Sequence, residues 1–163
     1  MPIPPQFADF WAQAVAHVPD LRAEDFHEAF CFGESDALAD ELASLVLQGR
    51  KTATTSLVWA VEVEARPPPR PGQLSIVKNW AGQPLCLIVT TSLEALPFDR
   101  VDAAFAAEEG EDDGTLSTWR RNHDAYFGRE CARIGRVARP DMPVACERLC
   151  VVYAAHATPT QRA

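Results

Sequence analysis

Gly49-Arg50-Lys51-Thr52-Ala53-Thr54-Thr55-Ser56 sets two bases and four hydroxyls in eight consecutive residues. The stretch follows a run in which Leu38, Leu42, Leu45 and Val46 form an apolar stripe at helical spacing. Ser35 stands where an N-cap side chain accepts a backbone N–H, and Asp36 falls in the positive first turn. Gly49 ends the run, because glycine takes left-handed backbone at no steric cost. The chain must then leave the helix axis and carry Lys51 to Ser56 to a surface or a pocket. A lysine beside threonines is an anion hook, a hydroxyl nucleophile with its base, or a solvated helix exit. The residues of this stretch alone favour the solvated exit and leave all three open. Gly-x4-Gly-Lys-Ser/Thr is absent, so nucleoside triphosphate hydrolysis is not supported.

Upstream, Phe7, Phe10, Trp11, Ala14, Val15 and Val18 share one helical face, and Pro19 ends it. Phe26, Glu28, Phe30 and Phe32 alternate, as in a short strand with an aromatic face. Downstream, Leu57 to Ala65 fits both periods, and the helix reading is preferred. Arg66-Pro-Pro-Pro-Arg-Pro-Gly72 is an exposed loop, because its four prolines remove donors and fix φ. Leu74–Val77 and Leu85–Thr91 read as strands of a hairpin turning at 81–83. Asp99 is placed to cap a helix whose inner face carries Val101 and Phe105 and which Gly110 stops. After the acidic turn 111–114, Thr115 opens a helix with Leu116, Trp119, His123, Tyr126 and Phe127 broadly on one face. Residues 128–142 form a helix tail and loop. The apolar run from Val144 to Tyr153 is an interior strand buried on both faces, and residues from about 157 are a tail.

With 163 residues the chain has the length of one domain. Its net charge of −8 argues against broad duplex binding, which rests on many Lys/Arg–phosphate contacts. There is no apolar run long enough to cross a membrane and no basic, apolar leader at Met1–Gln6, so a cytoplasmic protein without a membrane partner is expected. Cys31, Cys86, Cys131, Cys146 and Cys150 are odd in number and scattered, which suits reduced thiols. No metal or other cofactor is expected: Cys146 and Cys150 would lie roughly 13 Å apart on a strand, and neither Cys-x-x-Cys nor His-x-x-x-His occurs. No nucleophile elbow marks a serine or cysteine triad.

Two further segments carry candidate chemistry. Glu109, four residues after Phe105, falls close to the apolar helix face and in the last turn, where the helix dipole disfavours a carboxylate. Both effects raise a carboxyl pKa toward that of a general acid or base. An ordinary acidic helix end is the other reading. Trp119-Arg120-Arg121-x-His123 groups an indole, two guanidiniums and an imidazole, the set that stacks a base and holds a phosphate. Core packing of Trp119 and His123 at i and i+4 is the stronger reading there. Trp59 and Trp80 also read as packing residues.

Taken in order, Phe32-Gly-Glu-Ser-Asp36, Ala39-Asp-Glu-Leu42 and Leu45-Val-Leu-x-Gly-x-Lys51-Thr-Ala-Thr54 resemble the opening of ASCH domains. Pro71-Gly72, Gly82-Gln-Pro84 and Phe98-Asp-x-Val101 continue the resemblance. Phe105-Ala-x-Glu-Glu109-Gly-Glu-x-Asp113, Leu116-x-x-Trp119-Arg120-x-x-His123 and Pro143-Val-x-Cys-Glu-Arg148 complete it. The resemblance implies an α+β, PUA-like fold, a small curved β-barrel with flanking helices. It divides the chain into an N-terminal helix and lead-in at 1–29, the domain at 30–156 and a tail at 157–163. It implies RNA or a modified nucleoside as partner, with hydrolysis of N4-acetylcytidine or cleavage of single-stranded RNA as the reaction. The alternative is a non-catalytic RNA-binding or regulatory protein-interaction module. By motif, the family's lysine base, threonine nucleophile and glutamate proton donor fall on Lys51, Thr54 and Glu109, with Glu108 a competing choice. A neutral Lys51 and a protonated Glu109 are then expected, with backbone N–H groups near Thr52 holding the oxyanion. Arg50, Thr52, Thr55, Ser56, Lys78, Trp119, Arg120, Arg121 and His123 are the expected contacts to substrate or RNA. The chain departs from the small amidohydrolases in its length and in Thr55-Ser56, where those carry an arginine and acids.

Overall fold

The computed structural model describes residues 2–155, so the expected tail at 157–163 lies outside the described residues. The elements run α1 (Ala8–His17), β1 (Phe26–Phe30), α2 (Asp36–Leu47), β2 (Ala53–Leu57), α3 (Val58–Val63), β3 (Leu74–Lys78), β4 (Pro84–Pro97), α4 (Ala103–Glu109), α5 (Leu116–Arg133) and β5 (Pro143–Ala154). The strands form one mixed sheet in the order β1-β3-β4-β5-β2, with only the β1–β3 pair parallel. Its edges, β1 and β2, are not paired to each other among the described residues. Among these residues the sheet is therefore not closed into the small curved β-barrel that the family resemblance implied. Register shifts at Leu87/Ile88 and Thr90/Ser92 interrupt the long β4–β5 ladder, and such bulges bend strands and increase their twist.

Helices cover both faces at one end of the sheet. Leu74, Ile76 and Leu87 pack with Phe10 and Ala14 of α1, while Val77, Cys86 and Ile88 pack with Leu42, Ala43 and Val46 of α2. Alternate residues thus enter different cores, which explains the nearly continuous apolar character of these strands. A third core joins α3, α4 and α5 to Ala53, Leu57, Val144 and Cys146.

Several local expectations hold. Ser35 accepts the Leu38 N–H, Gly49 has φ 70°, and Thr115 caps α5 by accepting the Thr118 N–H. Others shift. The cap of α4 is Asp102, which accepts the Phe105 N–H at 2.8 Å, while Asp99 sits in a preceding 3-10 turn. Leu57 ends a strand and the helix begins only at Val58. The alternation after Phe26 is broken by a register shift between Phe26 and Glu28. Phe26 consequently joins the α1 core and Phe32 the α2 core.

Candidate functional site

Lys51 is buried by the way two chain segments cross. At the end of α2 the Arg50 and Lys51 N–H groups both donate to Leu45 O, at 2.9 and 3.0 Å. Thr52 N–H then donates to Glu108 O at 2.8 Å, which ties this exit to the last turn of α4. Gly110 ends α4 at φ 65°, and a Cβ there would stand 2.1 Å from Arg50 O. Only glycine satisfies both the left-handed backbone and that close approach. Residues 53–57 go on as edge strand β2 paired to β5, instead of a solvated loop.

The crossing sets the Lys51 ammonium between two carboxylates. Its Nζ donates to Glu109 Oε2 at 2.9 Å and to Glu111 Oε1 at 2.6 Å. Lys51 and Glu109 are each 1% exposed. Glu109 Oε1 also accepts from Trp119 Nε1 at 3.0 Å and from the Thr55 hydroxyl, and His123 Nε2 stands 3.6 Å away. Trp119 stacks on His123 with ring centroids 4.1 Å apart, and His123 Nδ1 donates to Trp119 O at 3.0 Å. The Phe32 ring covers Lys51 at 5.5 Å from Nζ.

The protonation pattern is the reverse of the expected one. Burial alone would raise the Glu109 pKa, but the Lys51 charge, then His123 and Thr55, bring it well below the usual carboxylate range. Burial pulls Lys51 down, yet Glu109 and Glu111 together hold its pKa above the ordinary value. Lys51 is thus an ammonium and Glu109 a carboxylate. Burial, reinforced by the neighbouring Glu109 charge, outweighs Lys51 at Glu111 and raises its pKa. Glu111 therefore takes a proton more readily than Glu109. Glu109, Glu111 and His123 bring three metal-type donor atoms within 4.8 Å of one another, but Lys51 already supplies positive charge to both carboxylates.

This network forms one wall of a cleft of about 730 Å³. The cleft is lined by Glu28, Glu34, Glu62, Glu109, Glu111, Asp112 and Glu147 against Lys51, Arg66 and Arg129, with Phe30, Phe32 and Tyr126 as aromatic surfaces. Thr54, Thr55, Ser56 and His123 reach it. Thr54 pairs across the ladder with Glu147, and among the described residues its hydroxyl has no hydrogen-bond partner. No hydrogen bond joins Lys51 Nζ to Thr54, so the expected base–nucleophile contact is not formed. Arg50, Thr52, Lys78, Trp119, Arg120 and Arg121 do not line this cleft. Trp119 is 5% exposed in the core. Arg120 Nη2 donates to the Asp99 and Val101 carbonyls at 3.0 and 3.1 Å. The Thr52 N–H, expected near an oxyanion, is taken by Glu108 O. Glu108 points away and pairs with Arg148.

Sequence reasoning missed Glu111 and Glu147. Glu111 read as part of an acidic turn, although Glu-Gly-Glu with a left-handed glycine is a signal for two carboxylates turned toward one point. Glu147 carries no local signal beyond its place in the closing strand.

A family model described as the ASCH domain matches residues 28–153. The crystal structure of an ASCH domain from Lactobacillus crispatus JV V101 is 35% identical, with a TM-score of 0.81 over 88% of this chain and 92% of that one. A protein from Enterococcus faecalis V583 is 32% identical, with a TM-score of 0.80 over 90% of this chain and 87% of that one. No curated protein matches the chain.

Proposed function

Because this chain belongs to the ASCH domain family, we propose that its cleft takes a modified nucleoside and hydrolyses an acyl amide on the base, as in N4-acetylcytidine. One observation carries the reading. A buried ammonium, a carboxyl group of raised pKa and a hydroxyl without a partner among the described residues line one cleft with room for a nucleoside. That set supplies an electrophile, a proton carrier and a nucleophile. A free nucleoside is favoured over an RNA strand because Arg50, Lys78 and Arg121 lie outside an acid-lined cleft. Phosphate tracking needs cations along the groove.

The roles differ from those implied by resemblance. Thr54 Oγ attacks the acyl carbon, and its proton passes to the ionised form of Glu111. Glu111 gives that proton to the exocyclic nitrogen as the C–N bond breaks, releasing cytidine and leaving acyl-Thr54. Water then attacks the ester, losing a proton to Glu111 that returns to Thr54 Oγ as the carboxylic acid departs. Lys51 stabilises the oxyanion formed in each addition. Glu109, ionised and bonded to Lys51, Thr55 and Trp119, holds the ammonium in position.

Incubation with N4-acetylcytidine and with single-stranded RNA, followed by chromatography, tests the proposal. Deacetylation with intact RNA is expected, with a loss of about a hundredfold or more in Lys51→Ala and Thr54→Ala. RNA cleavage with the nucleoside left intact, or turnover undiminished in Thr54→Ala, overturns it.

A further inference from the structure

The cleft also holds a polar set that the proposed chemistry does not use. Ser75 on β3 is 3% exposed and lines the cleft, and among the described residues its hydroxyl has no hydrogen-bond partner. It pairs in register with Glu28 on β1, so these side chains share one face of the sheet. Glu147 on β5 lines the same cleft and is fixed by Thr90, whose hydroxyl donates to its Oε1 at 2.6 Å. That bond engages only one of the two carboxyl oxygens. Glu147 is the register partner of Thr54, which places its carboxyl group beside the proposed nucleophile.

We propose that Ser75 and Glu147 form a ribose subsite, in which the 2′- and 3′-hydroxyls of a ribonucleoside bond to the Ser75 hydroxyl and to Glu147. The inference rests on the nucleoside reading above and adds the part of the substrate that the reacting end does not touch. A vicinal diol offers two donors and two acceptors, which suits a carboxyl group and a hydroxyl lining one cleft. A carboxylate accepting from a ribose 2′-OH is a recurrent solution to sugar recognition. A phosphate would meet the Glu28 and Glu147 carboxylates, which repel it. An ammonium would compete with Arg66, whose Nη1 already stands 3.4 Å from Glu28 Oε2. The Ser75 hydroxyl opens onto the cleft without a protein partner among the described residues, and the diol supplies one.

The test compares N4-acetylcytidine with N4-acetyl-2′-deoxycytidine, and cytidine with 2′-deoxycytidine, by binding and, for the acetylated pair, by kcat/KM. The wild-type protein is expected to prefer the ribose form about tenfold, the size of one hydrogen bond to a charged or buried group. Ser75→Ala and Glu147→Gln should each bring the ratio toward one, because the ribose form loses more than the deoxy form, which has only its 3′-hydroxyl to lose. Thr90→Val, which frees Glu147, should lower the ratio without removing either contact residue. Since the readout is a ratio within one protein, loss of folded material does not imitate it. Equal handling of ribose and deoxyribose by the wild type overturns the subsite and leaves the nucleoside reading standing. If none of the four compounds binds, the nucleoside reading falls and the subsite with it. If the preference survives all three substitutions, the diol is held elsewhere and the assignment of Ser75 and Glu147 is wrong.

Discussion

Glu108 and Glu109 are consecutive residues in the last turn of α4, yet they end in opposite environments. Glu108 pairs with Arg148 where the two side chains are 34% and 40% exposed, and Glu109 pairs with Lys51 where both are 1% exposed. Water screens the first pair and competes with it, so the pair contributes little. The second pair sits where desolvation is expensive and each charge needs the other. It also carries auxiliary bonds from Trp119 and Thr55, which the surface pair lacks. The difference teaches that similar pairings of one helix end serve different ends. One decorates a surface; the other fixes a charged group at the wall of a cleft.

The largest effect should come from breaking the buried pair. Glu109→Gln leaves Lys51 with Glu111 alone and is expected to cost about 3 kcal/mol, the lower part of the range for an orphaned buried charge. Urea unfolding at neutral pH checks it. A Glu109→Gln, Lys51→Met double variant should recover part of that loss, because no unpaired charge remains. Full additivity of the two single changes would show that the residues do not act as a pair. The pH profile follows from the same group. Glu109 has a depressed folded pKa, so its stabilisation is present above the ordinary value of 4.5 and is lost as pH falls toward the folded value. Lys51, raised above 10.5, contributes fully below that pH and loses its contribution as alkali passes the folded value. Glu111 has the opposite sign to Glu109: its raised pKa subtracts stability as pH climbs above 4.5. Glu111→Gln should therefore flatten the profile just above pH 4.5 and leave the acid limb unchanged.

A smaller loss is expected from the crossing that creates the pair. Gly110→Ala places a side chain at φ 65° and a Cβ 2.1 Å from Arg50 O. The backbone conformation alone costs about 1–3 kcal/mol, and relief of the clash must move Arg50 and hence Lys51. Thermal unfolding measures the first part. The second part predicts loss of activity toward N4-acetylcytidine beyond the unfolded fraction, a comparison that Gly82→Ala controls. Gly82 has φ 88° and open space around its missing Cβ, and it does not line the cleft. Equal losses of activity in the two variants would remove the crossing as the device that positions Lys51.

What was legible in the chain follows the range of the forces involved. Ser35, Gly49 and Thr115 act within a turn of the helices they bound, so their positions could be read directly. The hairpin of β3 and β4 was legible because its apolar runs and turn are contiguous. Glu109 was legible as a helix-end carboxylate near an apolar face, but its protonation was not. That property depends on Lys51, which is 58 residues away and arrives only through the Gly110 crossing. The open sheet and the strand at 53–57 were hidden for the same reason, since β2 is held by pairing with β5, from Ala53 with Arg148 to Leu57 with Val144. The polar sequence Thr54-Thr55-Ser56 gives a strand reading little local support. The anchoring of Arg120 was hidden because a guanidinium donating to two backbone carbonyls leaves no mark in the sequence.

The smallest effect should come from the surface pair, and it sharpens the contrast. Glu108→Gln keeps the side-chain shape and removes only the charge facing Arg148. Exposed pairs contribute about 0–1 kcal/mol, so urea unfolding should shift by no more than that. Raising the salt from about 0.05 to about 1 M shortens the screening length from well over 10 Å to about 3 Å, and the difference between wild type and Glu108→Gln should then shrink toward zero. The loss in Glu109→Gln should persist through the same change, since ions do not enter a pair that is 1% exposed on both sides. Arg148 also lies over the Phe105 ring, with its guanidinium carbon 5.2 Å from the centroid. Arg148→Ala should therefore cost more than Glu108→Gln, and that excess should be insensitive to salt because it comes from packing. A salt-resistant loss in Glu108→Gln would mean that the two glutamates share one buried network, and the separation drawn between them at the end of α4 would not stand.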